Sequence, residues 1–383
     1  MKDKNYLIDF LRFIFSIAIL LYHSWMFTGV FGEGLARRGY LGVDFYFIVT
    51  GYLMLNSLHK EKLVDKYIFK DTLNFVIKKY IRLLPALIVT FIISIPFVYG
   101  KNALNYQLLL SNSMIGEILQ LGILGYPMPI NSSWWYLSAM FLVSLILYPI
   151  AKKYTNDYAR YIAPVILLFT VGLVYTKGIN INDPLNISFY LRNGFYKAII
   201  FIILGNISYE ISNGIKKTSL NSKKIKLLTI FEILTYLFLI LNLHYYVADT
   251  LLYAILLTLN IAVTFSNITY TKKFFKNPIW NKLGTFGFYI YLCQIAIRTY
   301  MMRHLTNNYI NDLIKYIIIT VIVSTIIYII IEIFYKNRNN IKKNGILLLI
   351  KKTLYNMLDY IEKKLSSIKS KICIENDQPL NKE

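Results

Sequence analysis

The sequence predicts an all-α polytopic membrane protein of about ten transmembrane helices, and three observations carry that reading. The 383-residue chain is 56% hydrophobic and only 16% charged, too apolar for a soluble globule to cover with polar surface. Its apolar residues gather into stretches of about 20, the length that crosses a bilayer. Its surplus of basic residues, 42 Lys and Arg against 20 Asp and Glu, is sorted into alternate connections.

The spans fall near residues 7–27, 40–58, 83–99, 133–150, 160–176, 190–211, 226–242, 247–265, 284–303 and 313–335. Span one holds Asp9 and Arg12 and nothing like a cleavage site follows it, so it is expected to stay rather than be removed as a signal peptide. The connections after spans two, four, six and eight are basic: Lys70, Lys78, Lys79 and Arg82; Lys152, Lys153 and Arg160; Lys216, Lys217, Lys223 and Lys224; Lys272, Lys273 and Lys276. The intervening ones hold little beyond Arg37, Arg38, Lys101 and Lys177. Both termini and the even-numbered connections are therefore expected in the cytoplasm, with the chain in the plasma membrane. This sorting accounts for most of the formal charge of +22, so no nucleic-acid partner is expected. With Cys293 and Cys373 as the two cysteines, neither a disulfide framework nor a cysteine-based metal site is expected, and no metal is assigned.

Residues 1–335 read as the membrane domain and 336–383 as a basic cytoplasmic tail. In the tail Leu354, Met357, Leu358, Ile361, Leu365 and Ile368 recur at three or four residues. That spacing suits a basic amphipathic helix lying on anionic lipid, or equally a solvated or self-pairing helix. The stretch from about 100 to 132 holds Gly, Pro, Asn and Ser and is expected to contain a short re-entrant or interfacial piece.

An ionisable group inside a span costs on the order of 2.5–3.5 kcal/mol on insertion scales, so it is a functional candidate by default. In span one Arg12 and His23 are eleven residues apart, about 1,100° of helical rotation, which returns them to one face roughly 16 Å apart along the axis. Asp9 and Ser16 lie on the same stripe. An imidazole is the natural general base near neutral pH, and the planar fork of an arginine suits a phosphate. The plainer readings are an Arg12 that snorkels beside Asp9 and a His23 bonded to a nearby carbonyl. Asp44, a turn into span two, either holds the His23 ring in one tautomer or caps its helix.

The Arg-ten-His spacing, followed by Gly42-Val43-Asp44-Phe45-Tyr46-Phe47 and Gly51-Tyr52 in span two, resembles the membrane-bound acyltransferase 3 family. So do Lys79-Tyr80-Ile81-Arg82 with Pro85, the Trp135-Tyr136-Leu137-Ser138 element, Phe201 to Gly205, and Gly284 through Gln294. Gln294 stands where the family carries a histidine, Gly287 where it carries a serine, Lys79 where an arginine is usual, and Met140 where some members carry a glutamate. The resemblance implies O-acylation of a sugar-containing envelope molecule, polysaccharide or lipid-linked glycan, with a small acyl group, acetyl first among them, drawn from cytoplasmic acyl-CoA.

On this reading His23 is the catalytic base with Asp44 orienting it, and Arg12, Lys78, Lys79 and Arg82 receive the acyl-CoA phosphates, although topology alone supplies basic residues at 78–82. Asp9, Ser16, Tyr46, Trp135, Arg192 and Gln294 are substrate-channel candidates. Membrane lipid, acyl-CoA and the glycan acceptor are the expected partners. Transport of a glycan or anion along a path lined by Arg192 and Lys197 is the alternative, and a scaffold subunit of a polysaccharide synthase or exporter is a third.

Overall fold

The computed structural model describes residues 5–27, 35–60, 67–104, 111–244, 251–306 and 308–341. Asn5 starts the first helix: its side-chain oxygen accepts the Ile8 N–H at 3.2 Å, the capping chemistry that Asn favours. Helix α1 (Tyr6–Tyr22) passes directly into a 3-10 turn, His23–Phe27. There follow α2 (Leu41–Leu58), α3 (Ile68–Tyr99), a short α4 (Asn112–Ile118), α5 (Trp135–Lys153) and α6 (Ala163–Thr176). Then come α7 (Asn193–Lys217), α8 (Ser222–Leu241), α9 (Leu251–Ser266), α10 (Ile279–Met302) and α11 (Tyr309–Ile341). A two-stranded antiparallel hairpin, Ile187–Phe189 with Leu191–Arg192, precedes α7.

Eight helical segments among the described residues are long and apolar enough to cross a membrane. The 16-residue α9 is shorter, and α10 is diluted by Lys282, Gln294 and Arg298. With these two, each predicted span has a helix, and the chain is an all-α polytopic membrane protein. The expected short piece between 100 and 132 is α4 with a 3-10 turn at Gly122–Leu124.

Two boundaries differ from expectation. The third helix begins at Ile68 rather than near 83, so Lys78, Lys79 and Arg82 ride on a helix instead of in a loop. Helix α7 begins at Asn193, which leaves Arg192 on the hairpin before it. Residues 342–383, and with them the proposed amphipathic pattern of the tail, lie outside the described residues.

Of the described residues, the first compact unit takes those up to Tyr328 and the second takes the end of α11 from Ile329. Within the first, α2 and α5 are largely buried, whereas α6 and α8 turn Leu168, Phe169, Leu227 and Leu234 outward, as lipid-facing helices do. Glycines set the closest helix contacts. A Cβ on Gly51 of α2 would lie 1.9 Å from the Ile202 carbonyl oxygen of α7, and one on Gly205 of α7 would lie 2.0 Å from the Ile48 oxygen of α2. Gly284 of α10 sits on the Asp9 backbone of α1, and Gly287 sits on Phe13 and Ser16. These small residues let α10 run along α1 with backbones in close approach.

Candidate active site

The α1 stripe faces inward, onto α10. Asp9 lies against Gly284, Ser16 against Gly287, and His23 beside Gln294. At the start of the stripe Arg12 Nη1 donates to Asp9 Oδ1 at 2.9 Å. Lys79 of α3 feels the charges of both Arg82 and Arg12. Three cations from two helices thus lie within electrostatic reach of one another, and Asp9 supplies the carboxylate that pairs with Arg12. Lys78 is exposed on the same helix.

A buried polar ladder continues from this end. Ser16 Oγ lies 2.7 Å from the Tyr46 hydroxyl, which donates to the Arg12 carbonyl at 2.7 Å, so Ser16 is the donor to Tyr46. The rings of Tyr46, Tyr136 and Tyr291, from α2, α5 and α10, meet at centroid separations of 5.9–6.4 Å. Arg12 lies close enough to act electrostatically on Tyr46 and Tyr136. The Tyr136 hydroxyl is 3.3 Å from Thr50 Oγ1, and Tyr291 donates to the Ser133 carbonyl. Trp134 Nε1 donates to the Leu292 carbonyl at 3.0 Å, tying the turn before α5 to α10. The neighbouring Trp135 packs on Phe47 and covers Gly194, which makes it a joint between α2, α5 and α7.

At the far end the His23 imidazole meets the Ile19 carbonyl and the Gln294 side-chain amide and lies within electrostatic reach of the Arg298 guanidinium. None of these contacts closes a hydrogen bond on Nδ1; both polar atoms of the Gln294 amide and Nε of Arg298 are also buried without a hydrogen-bond partner among the described residues. So are Asn131 Oδ1 and Nδ2 and Ser133 Oγ, in and beside the turn that Trp134 and Tyr291 fasten to α10. Buried polar groups are normally satisfied, so these atoms are candidates for contact with a substrate group or water.

Asp44, expected to orient His23, is engaged with another residue. Its carboxylate pairs with Lys197 of α7 at 2.9 Å; both residues are buried. Lys197 also donates to Asn182 Oδ1 at 3.2 Å and lies over the rings of Tyr40 and Phe201. A carboxylate buried at this depth takes the cation that can neutralise it, and α7 supplies one. Arg192, expected within a span, instead donates from the hairpin to the Tyr126 carbonyl at 3.2 Å and clips the loop before α5.

Sequence reasoning missed two residues here. Arg298 stands one turn beyond Gln294, and that i, i+4 spacing was the available signal. Glu117, at the end of α4, is buried and accepts the Ile130 and Asn131 N–H groups at 2.9 and 2.6 Å. Burial pushes its carboxyl up to about 7 against the pull of those two donors. An acid in the otherwise apolar run Met114-Ile115-Gly116-Glu117-Ile118-Leu119 was its signal.

A multi-pass helical bundle around a buried polar interior, with cations at one end of a helix and an imidazole at the other, defines the class: a membrane protein with ionisable side chains between its helices. The family model for an acyltransferase domain matches residues 5–332, and the chain belongs to the acyltransferase 3 family; it is a membrane acyltransferase. Neither a curated protein nor a solved structure matches the chain.

Proposed function

We propose that the protein is an O-acyltransferase of the plasma membrane that moves a small acyl group, acetyl in the simplest case, from cytoplasmic acyl-CoA to a hydroxyl of a cell-envelope glycan. The acceptor is a polysaccharide or a lipid-linked glycan reached from the opposite side of the membrane. The observation that carries this reading is the single inward face of α1, with Arg12 in a group of cations at one end and His23 among unsatisfied polar groups at the other.

The guanidinium of Arg12 and the ammonium of Lys79, with Arg82 within electrostatic reach, are groups suited to the phosphates of the donor. The rise of roughly 16 Å from Arg12 to His23 is comparable to an extended pantetheine arm. His23 then acts as general base. A ring that keeps its proton on the nitrogen facing the Ile19 carbonyl offers its other nitrogen to the acceptor hydroxyl, so that carbonyl, rather than Asp44, sets the tautomer. His23 takes the hydroxyl proton as the acceptor oxygen bonds to the thioester carbonyl carbon. The carbon–sulfur bond breaks, and the imidazolium returns the proton to the departing thiolate. Gln294 N–H and the Arg298 guanidinium, beside the ring, are suited to stabilise the oxyanion formed between those steps.

His23→Ala is expected to lower kcat by about 10²–10⁴-fold, with the protein still folded in the membrane fraction. Arg12→Ala is expected to raise the KM for acyl-CoA roughly tenfold while changing kcat less. Steady-state assays with acyl-CoA and envelope glycan check both; full activity in His23→Ala removes the imidazole from the reaction.

A further inference from the structure

Arg38 precedes α2 and is 1% exposed. Its backbone is held from both sides: the N–H donates to the Leu243 carbonyl and the carbonyl accepts the Leu41 N–H, each at 2.9 Å. Its side chain is not. Nε, Nη1 and Nη2 have no hydrogen-bond partner among the described residues, and the guanidinium carbon lies 4.1 Å from the ring centroid of Tyr253 on α9. That ring face attracts the cation but accepts none of its N–H groups. The adjoining Arg37 has its Nε buried and unpartnered as well.

The first amides of α2 are spent on the preceding turn, Gly42 N–H to the Gly39 carbonyl and Val43 N–H to the Tyr40 carbonyl. The donors left over at this corner are therefore those of the guanidinium. A buried cation is tolerated where an anion or a set of acceptors completes it, and a planar fork with parallel N–H groups matches two oxygens of one phosphate. The corner is also placed for such a group. Gly39, next in sequence, rests on Ala18 and Tyr22 of α1, immediately before His23, where the spanning helices end. Lipid phosphates and aromatic–basic belts meet a membrane protein at that level.

We propose that Arg38, seated on Tyr253 with Arg37 beside it, is a phosphate-binding site at the His23 end of the bundle, separate from the cations around Arg12. The phosphate is carried by a lipid headgroup or by a phosphate-bearing solute.

The test is thermal unfolding of the full chain in a detergent without phosphate, titrated with short-chain phosphatidylglycerol and, in a second series, with inorganic phosphate, against chloride at equal ionic strength. The wild-type Tm is expected to rise. Arg38→Lys, which keeps the charge but loses the fork, is expected to need roughly tenfold more titrant, and Arg38→Gln to show no rise. A rise with both probes assigns the phosphate itself, and a rise with phosphatidylglycerol alone assigns the headgroup. No rise in the wild type, or the same midpoint in wild type and Arg38→Lys, overturns the site. The lysine variant decides alone if the glutamine variant does not fold. His23→Ala is expected to keep the rise, so this outcome is distinct from the fate of the acyl-transfer reading.

Discussion

Two buried charged groups lie towards the same end of the bundle and are finished differently. Asp44 and Lys197 neutralise each other, and Lys197 completes its shell with Asn182 and the rings of Tyr40 and Phe201. His23 lies beside Gln294 and within electrostatic reach of Arg298, and all three leave polar atoms without partners among the described residues. Both groups carry ionisable residues that a span pays to insert, so the presence of charge does not separate structure from chemistry. Charge pairing does: Asp44 and Lys197 form a closed ion pair that binds α2 to α7, although Asp44 Oδ1 completes no hydrogen bond, whereas in the open set His23 lies within reach of a second cation, Arg298.

The largest expected effect comes from breaking the closed set. Asp44→Asn leaves Lys197 buried beside a neutral group and should cost about 3–5 kcal/mol of stability, read as loss of folded protein in detergent. Joint replacement by Asp44→Leu and Lys197→Met should recover most of it. Unchanged stability with a collapsed kcat in Asp44→Asn would return this carboxylate to the reaction. The open set should answer in the opposite sense. Gln294→Leu removes two unsatisfied polar atoms, so Tm should hold or rise, while acyl transfer falls roughly ten- to a hundredfold through weaker oxyanion stabilisation. A fall in Tm with unaltered kcat would make Gln294 a packing residue.

Between these lies the ladder near Arg12, where the hydroxyls are paired. Tyr46→Phe takes a partner from Ser16 and from the Arg12 carbonyl and should cost about 1 kcal/mol, measured by denaturation. The loop fastened by Glu117 answers to pH instead. Because its carboxyl is raised to about 7 from 4.5, the folded state holds the proton more tightly than the unfolded chain. The stability this contributes is fully present below about pH 4.5 and is lost as pH rises through about 7. Glu117→Gln should flatten that part of the Tm–pH curve. An unchanged curve would mean that the Ile130–Asn131 loop does not sense this proton.

The architecture was legible because its signals are local. Apolar length gives the spans, helical rotation gives the Asp9, Ser16 and His23 stripe, and motif glycines such as Gly51, Gly205 and Gly284 prove to be points of helix contact. What one helix cannot give is its neighbour's azimuth. The position of Asp44 in span two gives it the depth of His23, but its partner is Lys197, far along the chain, and no periodicity within α2 points to α7. Apolar sequence that continues past the hairpin puts Arg192 in a span, and basic residues that satisfy topology equally well put Lys78 to Arg82 in a loop.

The central claim is that one helix face joins a donor end to an acceptor end on opposite sides of the membrane. It is tested most directly in sealed inverted membrane vesicles given radiolabelled acetyl-CoA outside, which is the cytoplasmic side, with envelope glycan enclosed. Label should appear as alkali-labile ester on the enclosed glycan in the wild type and be lost in His23→Ala. Ester formed only on glycan supplied to the same side as the acetyl-CoA, or formed equally well by His23→Ala, would contradict it.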